Sequence, residues 1–218
     1  MNVNIISVTQ PVMEGLLNPE DLISYIARVS NPSNQMNTES APRLLAYLIK
    51  HKHWSPFEQV SLTYQIVTSR AIAAQILRHR SFCFQEFSQR YSTVTDFESF
   101  AIRKQADKNR QSSEDLLEIA DEDLQKIKDH MLSGASLYED LIKKGAAKEC
   151  ARMILPLCTQ TTMYMTGNLR SWIHYVDLRS GEDTQLEHRE IAIAIKDTLI
   201  DIFPNTSEAL NWKKSVDL

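Results

Sequence analysis

Between Val60 and Ile66 the chain alternates strictly: Val60, Leu62, Tyr64 and Ile66 are apolar, and Ser61, Thr63 and Gln65 between them are polar. That period predicts a strand with one face buried. From Ser69 to His79 the period lengthens, with Ile72, Ala73, Ile76 and Leu77 at helical spacing, so the strand hands over directly to a helix. Gln75 and Arg78 lie three apart at its C-terminal end and share a face. Next comes Arg78-His79-Arg80-Ser81-Phe82-Cys83-Phe84-Gln85-Glu86-Phe87-Ser88-Gln89-Arg90-Tyr91. This segment is predicted to straddle the helix end and the loop beyond it, a common position for binding groups.

The other periodicities complete one α+β domain over residues 1–218, a mixed or antiparallel sheet flanked by long helices. Val3 to Val8 and Thr159 to Thr166 have strand character. Asn18-Pro19 starts a helix that stops near Ser30, and a second helix runs from about Ser40 to His51. Residues 96 to 111 read as a polar connection. Ser112 or Ser113 is expected to cap a long amphipathic helix reaching Gly145, with a kink or break at Gly134. Further helices are predicted over Ala146 to Leu155, Asn168 to Leu178 and Glu182 to Ile202, the first and last ended by Pro156 and Pro204.

Composition bounds the partners. The net charge of −4 makes the basic segment near residue 80 a local feature, which favours a pocket for a small anion over a general nucleic-acid surface. No apolar run approaches the roughly 20 residues that span a bilayer, and Met1 to Gln10 has neither a basic start nor a cleavage site. A cytoplasmic location without membrane attachment is therefore expected. Cys83, Cys150 and Cys158 lack CxxC spacing, which argues against a disulfide framework or a cysteine-rich zinc site.

Four constellations carry chemistry. In the central segment, clustered guanidinium groups attract phosphates or carboxylates through bidentate hydrogen bonds. Phe82, Phe84, Phe87 and Tyr91, threaded between the charges, speak against a merely solvated face. The competing reading is a surface salt-bridge network. His51, His53 and Glu58 could bind zinc, serve as structural histidines, or line a site; Pro56 breaks any helical placement of ligands. Arg152 sits among apolar neighbours near a helix end, where it either snorkels or points into a polar pocket. Asn168, Arg170, His174 and Arg179 share one helical stretch, with Arg170 and His174 on one face. Cys83 invites a nucleophile reading, yet no general base is singled out for it.

Arg78-His79-Arg80, seven residues, then Ser88 resembles the RHR-x7-S signature of the flavin-dependent thymidylate synthases. Upstream, Ala27-Arg28-Val29-Ser30, His53-x-Ser55-Pro56-Phe57-Glu58 and Gln75 extend the resemblance. Downstream it includes Ala151 to Pro156, Asn168-Leu169-Arg170-Ser171 and Asp177-Leu178-Arg179, so it spans nearly the whole chain. Gln85 departs from the frequent Asn, and Gln89 from a frequent small residue.

The resemblance implies a mixed α/β homotetramer with shared active sites. Its implied reaction is reductive methylation of dUMP to dTMP, with methylenetetrahydrofolate as carbon donor and FAD, reduced by NADPH, as hydride donor. By resemblance, Gln75, Ile76, Leu77, Arg78, Glu86, Phe87, Ser88, Gln89, Arg90, Arg152 and Arg179 face the nucleotide. Ser55, Arg78, His79, Arg80, Glu86, Asn168, Leu169, Arg170 and His174 face FAD. Arg179 and His53 are the implied catalytic residues, His53 near the folate and flavin rings; no metal is implied. Arg179 at N3 and O4 of uracil could stabilise the ring anion. Lowering that pKa by about two units takes about 2.7 kcal/mol, within reach of a partly desolvated guanidinium pair, so no enzyme nucleophile is required. Two other classes remain beside this one: a nucleotide- or RNA-binding module that stacks bases on the aromatics, and a flavin reductase without a pyrimidine substrate.

Overall fold

The computed structural model describes residues 1–93 and 95–215, so Val94 and residues 216–218 of the expected 1–218 domain lie outside the described residues. In chain order the elements are β1 (Asn2–Val8), α1 (Pro19–Ala27), α2 (Ala41–Lys50), β2 (Ser61–Ser69), α3 (Arg70–Ile76), β3 (Cys83–Glu86), β4 (Arg103–Gln105), β5 (Ser113–Leu116), α4 (Asp121–Lys143), α5 (Lys148–Ala151), β6 (Gln160–Asn168), α6 (Leu169–Arg179), α7 (Leu186–Ile202) and α8 (Pro204–Ala209). Four strands form a sheet of order β1-β2-β6-β3 with every pair antiparallel, and β4 and β5 form a separate ribbon.

The alternation in β2 does what period two requires. Leu62, Tyr64 and Ile66 are fully buried, and the paired Met163 and Met165 of β6 bury the same face. Each such side chain contributes roughly 1.5–3 kcal/mol relative to exposure. Against them pack Trp172, Tyr175 and Val176 of α6, Ile191, Ile195 and Leu199 of α7, Ile23 of α1, and Leu45 and Leu48 of α2. The opposite face carries a polar ladder, with Thr63 bonded to Thr166 and Gln65 to Tyr164. At the far end of the core, the buried Glu20 accepts the N–H of Thr206 at 2.7 Å and so caps α8.

Five expectations need correction. Ser112 and Ser113 cap no helix: Ser113 begins β5, which pairs with β4 inside the expected loop, and α4 starts at Asp121. Asp121, Glu122 and Asp123 in its first turn complement the positive end of the helix dipole. Gly134 does not break α4, which runs unbroken from Asp121 to Lys143, and its missing Cβ lets Pro156 approach to within 3.3 Å of where that atom would sit. The helix expected over 146–155 is α5 followed by a 3-10 turn at Arg152–Ile154, because Leu155 precedes Pro156 and is extended. The last long helix starts at Leu186, after a turn through Gly181. Finally, the loop expected after α3 contains an edge strand, β3, paired to Met163–Thr166.

Candidate active site

The site grows from two places where a strand runs straight into a helix. At the end of β2 the Ser69 side chain caps α3, accepting the Ile72 N–H; at the end of β6 the Asn168 Oδ1 accepts the Ser171 N–H at 2.9 Å and caps α6. Ser69 pairs with Gln160 and Ser61 with Asn168, so the two helices start from opposite ends of one ladder. They converge past the end of α3, where the Arg179 Nε–H donates to the His79 Nε2 at 3.0 Å.

Phe82 pins the arginine-rich segment to this convergence. Its ring lies 4.6 Å from Trp172 and over Gly167, where a Cβ would meet the ring at 2.4 Å. The segment beyond Phe82 is therefore led along β6 as β3.

Two clefts flank the junction. The first, of about 620 Å3, is lined by Trp54, Ser81, Asn168, Arg170 and His174, with Glu58 ion-paired to Arg170. The second, of about 760 Å3, is lined by Gln75, Arg78, His79, Leu178 and Arg179. Thus His79, expected beside the flavin residues, lines the same cleft as Gln75 and Arg179. Ser88, Gln89, Arg90 and Arg152 line neither cleft. They belong to a third group beside α5, where Arg90 pairs with Glu149 at 3.3 Å and Lys148 bonds the Tyr91 carbonyl at 2.9 Å. Ser55 opens the 3-10 helix Ser55–Gln59, and Leu169 and Ile76 are buried. Leu77 is exposed, and Phe87 donates its N–H to the Thr162 carbonyl.

The charges do not pair within the arginine-rich segment, which speaks against the salt-bridge-network reading. Glu86 instead accepts from Arg70 at 2.8 Å and from the Thr161 hydroxyl at 2.9 Å. Arg78, Arg80 and Arg179 have no carboxylate partner among the described residues. The buried Nε of Arg152 and Nε2 of Gln89 also lack partners there. Unpaired guanidinium groups and orphaned buried donors are what an anionic ligand satisfies.

Burial, then the charges of Arg179 and His174, push the His79 imidazole down to about 4. His188, fully buried behind it, is pushed down to about 3, first by burial and then by Arg179 and His79. Both rings are neutral at pH 7, so His79 can accept from Arg179. Burial pushes the Tyr175 hydroxyl up, with Arg179 opposing, so it keeps its proton.

His53 follows Lys52, whose φ of 58° turns the chain sharply after α2, and its ring lies 6.0 Å from Tyr47 and 6.1 Å from His51. Among the described residues no three His, Cys, Asp or Glu side chains are grouped to hold a metal. Cys83 and Cys150 are exposed, and burial raises the Cys158 thiol. Sequence reasoning missed Arg70, Thr161 and His188, which hold named residues from behind, and Gln185, which lines the second cleft and bonds Gln75; no motif marks them.

The family profile described as "Thymidylate synthase complementing protein" matches residues 12–205. The chain is 50% identical over 215 residues to the "Probable flavin-dependent thymidylate synthase" of Paramecium bursaria Chlorella virus 1, covering 97% of this chain and 100% of that one. It is 49% identical over 220 residues to the flavin-dependent thymidylate synthase of Synechocystis sp., with the same coverage of each. A crystal structure of the UMP/dUMP methylase PolB from Streptomyces cacaoi bound with 5-Br dUMP shares the fold, with a TM-score of 0.80 at 24% identity over 96% of this chain and 94% of that one. No helix among the described residues is long and apolar enough to cross a membrane. Profile and near-full-length identity agree with the RHR-x7-S segment pinned at the junction of the two clefts, and the chain belongs to the family of flavin-dependent thymidylate synthases.

Proposed function

We propose that this chain methylates dUMP to dTMP, taking the carbon from methylenetetrahydrofolate, and that the two clefts divide its ligands. The first cleft, lined by Asn168, Arg170 and His174, suits FAD; of the other expected flavin residues Ser55, Leu169 and Arg80 adjoin its lining residues in the chain, and Arg78 lines the second cleft. The fit rests on the donor set: the Arg170 guanidinium for a diphosphate, amide and imidazole nitrogens of Asn168 and His174 for a heterocycle edge, and Trp54 as an apolar wall. When bound and reduced, by NADPH in this reading, the flavin supplies the hydride that completes the methyl group. The second cleft, with Gln75, Arg78 and Arg179, takes the nucleotide.

The observation that carries the assignment is the Arg179 guanidinium. His79 holds its Nε–H, while its two Nη groups have no acceptor among the described residues. A forked donor fixed at one end and free at the other is oriented for the N3–O4 edge of a uracil, where it stabilises negative charge on the ring. That activates C5 without a thiol, in keeping with the raised Cys158 and the solvent-facing Cys83.

Ser88, Gln89, Arg90 and Arg152 carry the donors for a phosphate but stand apart from the second cleft within one chain. We assign them to the same nucleotide across a subunit boundary in a homotetramer, with His53 near the folate. Release of tritium from C5-labelled dUMP, dependent on methylenetetrahydrofolate and reductant, tests the reading. A flavin-containing protein that oxidises NADPH but releases no tritium would instead be a reductase. A protein that takes up no flavin and binds RNA with steep salt dependence would instead be a nucleic-acid module.

A further inference from the structure

A chain of hydrogen bonds runs from the buried His188 and Tyr175 through the half-buried Gln75 and the exposed Gln185, both of which line the second cleft, out to β4. His188, with no exposed surface, places Nε2 3.0 Å from the Tyr175 hydroxyl and Nδ1 3.3 Å from the Gln75 Oε1. Gln75 Nε2 donates to Gln185 Oε1 at 2.7 Å, and Gln185 Nε2 donates to Glu187 Oε2 at 2.9 Å. Arg103 clamps Glu187 with two bonds of 2.8 and 2.9 Å, and both side chains are only 12% exposed.

The direction of every link follows from the last one. A carboxylate clamped by a guanidinium can only accept, so Gln185 must turn its NH2 towards Glu187 and its carbonyl towards Gln75. Gln75 must then present its NH2 to Gln185 and its carbonyl to His188. A carbonyl facing His188 requires the proton on Nδ1, which leaves Nε2 to accept from the Tyr175 hydroxyl. Reversing a link sets two acceptors or two donors against each other, which is most costly at the buried Tyr175–His188 end, whereas water can satisfy the exposed Gln185.

We propose that His188 and Tyr175 are positioning residues of the nucleotide site: His188, with Nδ1–H towards Gln75 and Nε2 accepting from the buried Tyr175 hydroxyl, holds the Gln75 carboxamide in one orientation at the cleft. The inference rests on the reading of Gln75 as a nucleotide-facing residue. Without the His188 donor the amide can turn over, and the cleft then presents a mixture of carbonyl and NH2 at the same place. Neither His188 nor Tyr175 lines the cleft, so their effect reaches the ligand through residues that do: Gln75 by the hydrogen bond and His79 by ring contact.

The test uses the full-length holoenzyme and four variants: Gln75→Ala, His188→Leu, His188→Asn and Tyr175→Phe. Measured are dUMP affinity from perturbation of the flavin spectrum, KM and kcat, flavin content, and Tm. Loss of one oriented hydrogen bond predicts that His188→Leu and Tyr175→Phe each raise Kd and KM for dUMP by about three- to tenfold, with flavin content unchanged. The His188→Leu/Tyr175→Phe double variant is expected to be no worse than the worse single one, since both break the same chain. His188→Asn carries an N–H near the Nδ1 position and is expected to recover most of the affinity. The proposal is overturned if His188→Leu or Tyr175→Phe lowers Tm while leaving dUMP affinity intact, or if their effects on affinity multiply. If His188→Leu does not fold, His188→Asn and Tyr175→Phe still decide: weakened binding in Tyr175→Phe with near-normal binding in His188→Asn supports it, and any other pattern overturns it. An intact affinity in Gln75→Ala removes the site reading and the proposal together. Weakened Gln75→Ala beside unaffected His188 and Tyr175 variants removes the proposal alone.

Discussion

The Nε–H of Arg179, the last residue of α6, donates to the Nε2 of His79, just past the end of α3, at 3.0 Å. One bond thus ties the arginine-rich segment to a residue a hundred positions later and leaves the Arg179 fork directed at the cleft. Replacing Arg179 by alanine is expected to leave the flavin bound, because Asn168, Arg170 and His174 are untouched, and to lower methylation about 100-fold or more, as loss of an oxyanion-type donor does. Arg179→Lys retains the charge but has neither the Nε–H nor the fork and is expected to recover little. Flavin absorbance per subunit and tritium release from C5-labelled dUMP read the two effects separately.

That bond needs a neutral His79, which gives stability a pH dependence of definite sign. His79 and His188 titrate near 4 and near 3 in the folded chain, against an ordinary 6.5. The unfolded chain therefore binds more protons in between, and stability falls as the medium is acidified. The contribution is fully present above about pH 6.5 and is lost progressively as the pH drops towards the folded values. Around His79 stand Arg179, His174, His188 and Tyr175, and none is an acid that would reverse the sign. Thermal unfolding between pH 7 and 5, above the carboxylate range, should show a falling Tm in the parent. The slope should be shallower in His188→Leu; an unchanged slope would refute the assignment to these rings.

How much of this was legible in the sequence differs element by element. The handover at Ser69 and Arg70 is legible because both periods are local, and the Asn168 cap because a short polar side chain stands before a helical pattern. β3 is not, since its four residues become a strand only by pairing with Met163–Thr166. Ser113 shows the reverse case: a good capping residue used in a strand, because the β4 partner and the acidic turn at Asp121 decide the boundary. The residue types of the site could be named from one segment. Their supports could not, because Glu86 is held by Arg70 and Thr161, and Gln75 by a histidine 113 residues away.

Gly167 is the socket for Phe82. A methyl at Gly167 would sit 2.4 Å from the ring, and the ring is backed by Trp172 and Tyr175, so it has little room to retreat. Gly167→Ala is expected to cost about 1–3 kcal/mol, the range for overpacking a core, and to reduce flavin content by shifting the segment that Phe82 anchors. Denaturant midpoints and flavin absorbance check it. A companion Phe82→Leu in the same background should restore part of the stability, since the smaller side chain vacates the ring edge.

Glu98 braces the junction from which α3 leaves the sheet. Its carboxylate is 5% exposed, accepts the Ser69 N–H at 2.6 Å and the Thr68 hydroxyl at 3.3 Å, and lies 3.6 Å from the amino group of Met1. A carboxylate at this point satisfies a backbone donor at the junction from which α3 leaves the sheet, and offers negative charge to the positive end of the helix. Glu98→Gln keeps the shape but removes the charge, and turns an NH2 towards donors on one side. The expected cost is about 1–3 kcal/mol, the penalty for unsatisfying a buried charged acceptor, visible as a lowered denaturant midpoint. Because α3 carries Gln75 and leads to Arg78 and His79, the same variant should weaken dUMP binding while leaving the first cleft and its flavin in place. Glu98→Ala, which removes the acceptor of the Ser69 N–H altogether, should be worse than Glu98→Gln in both measurements; equal stability of parent and Ala variants would show that the junction holds without it.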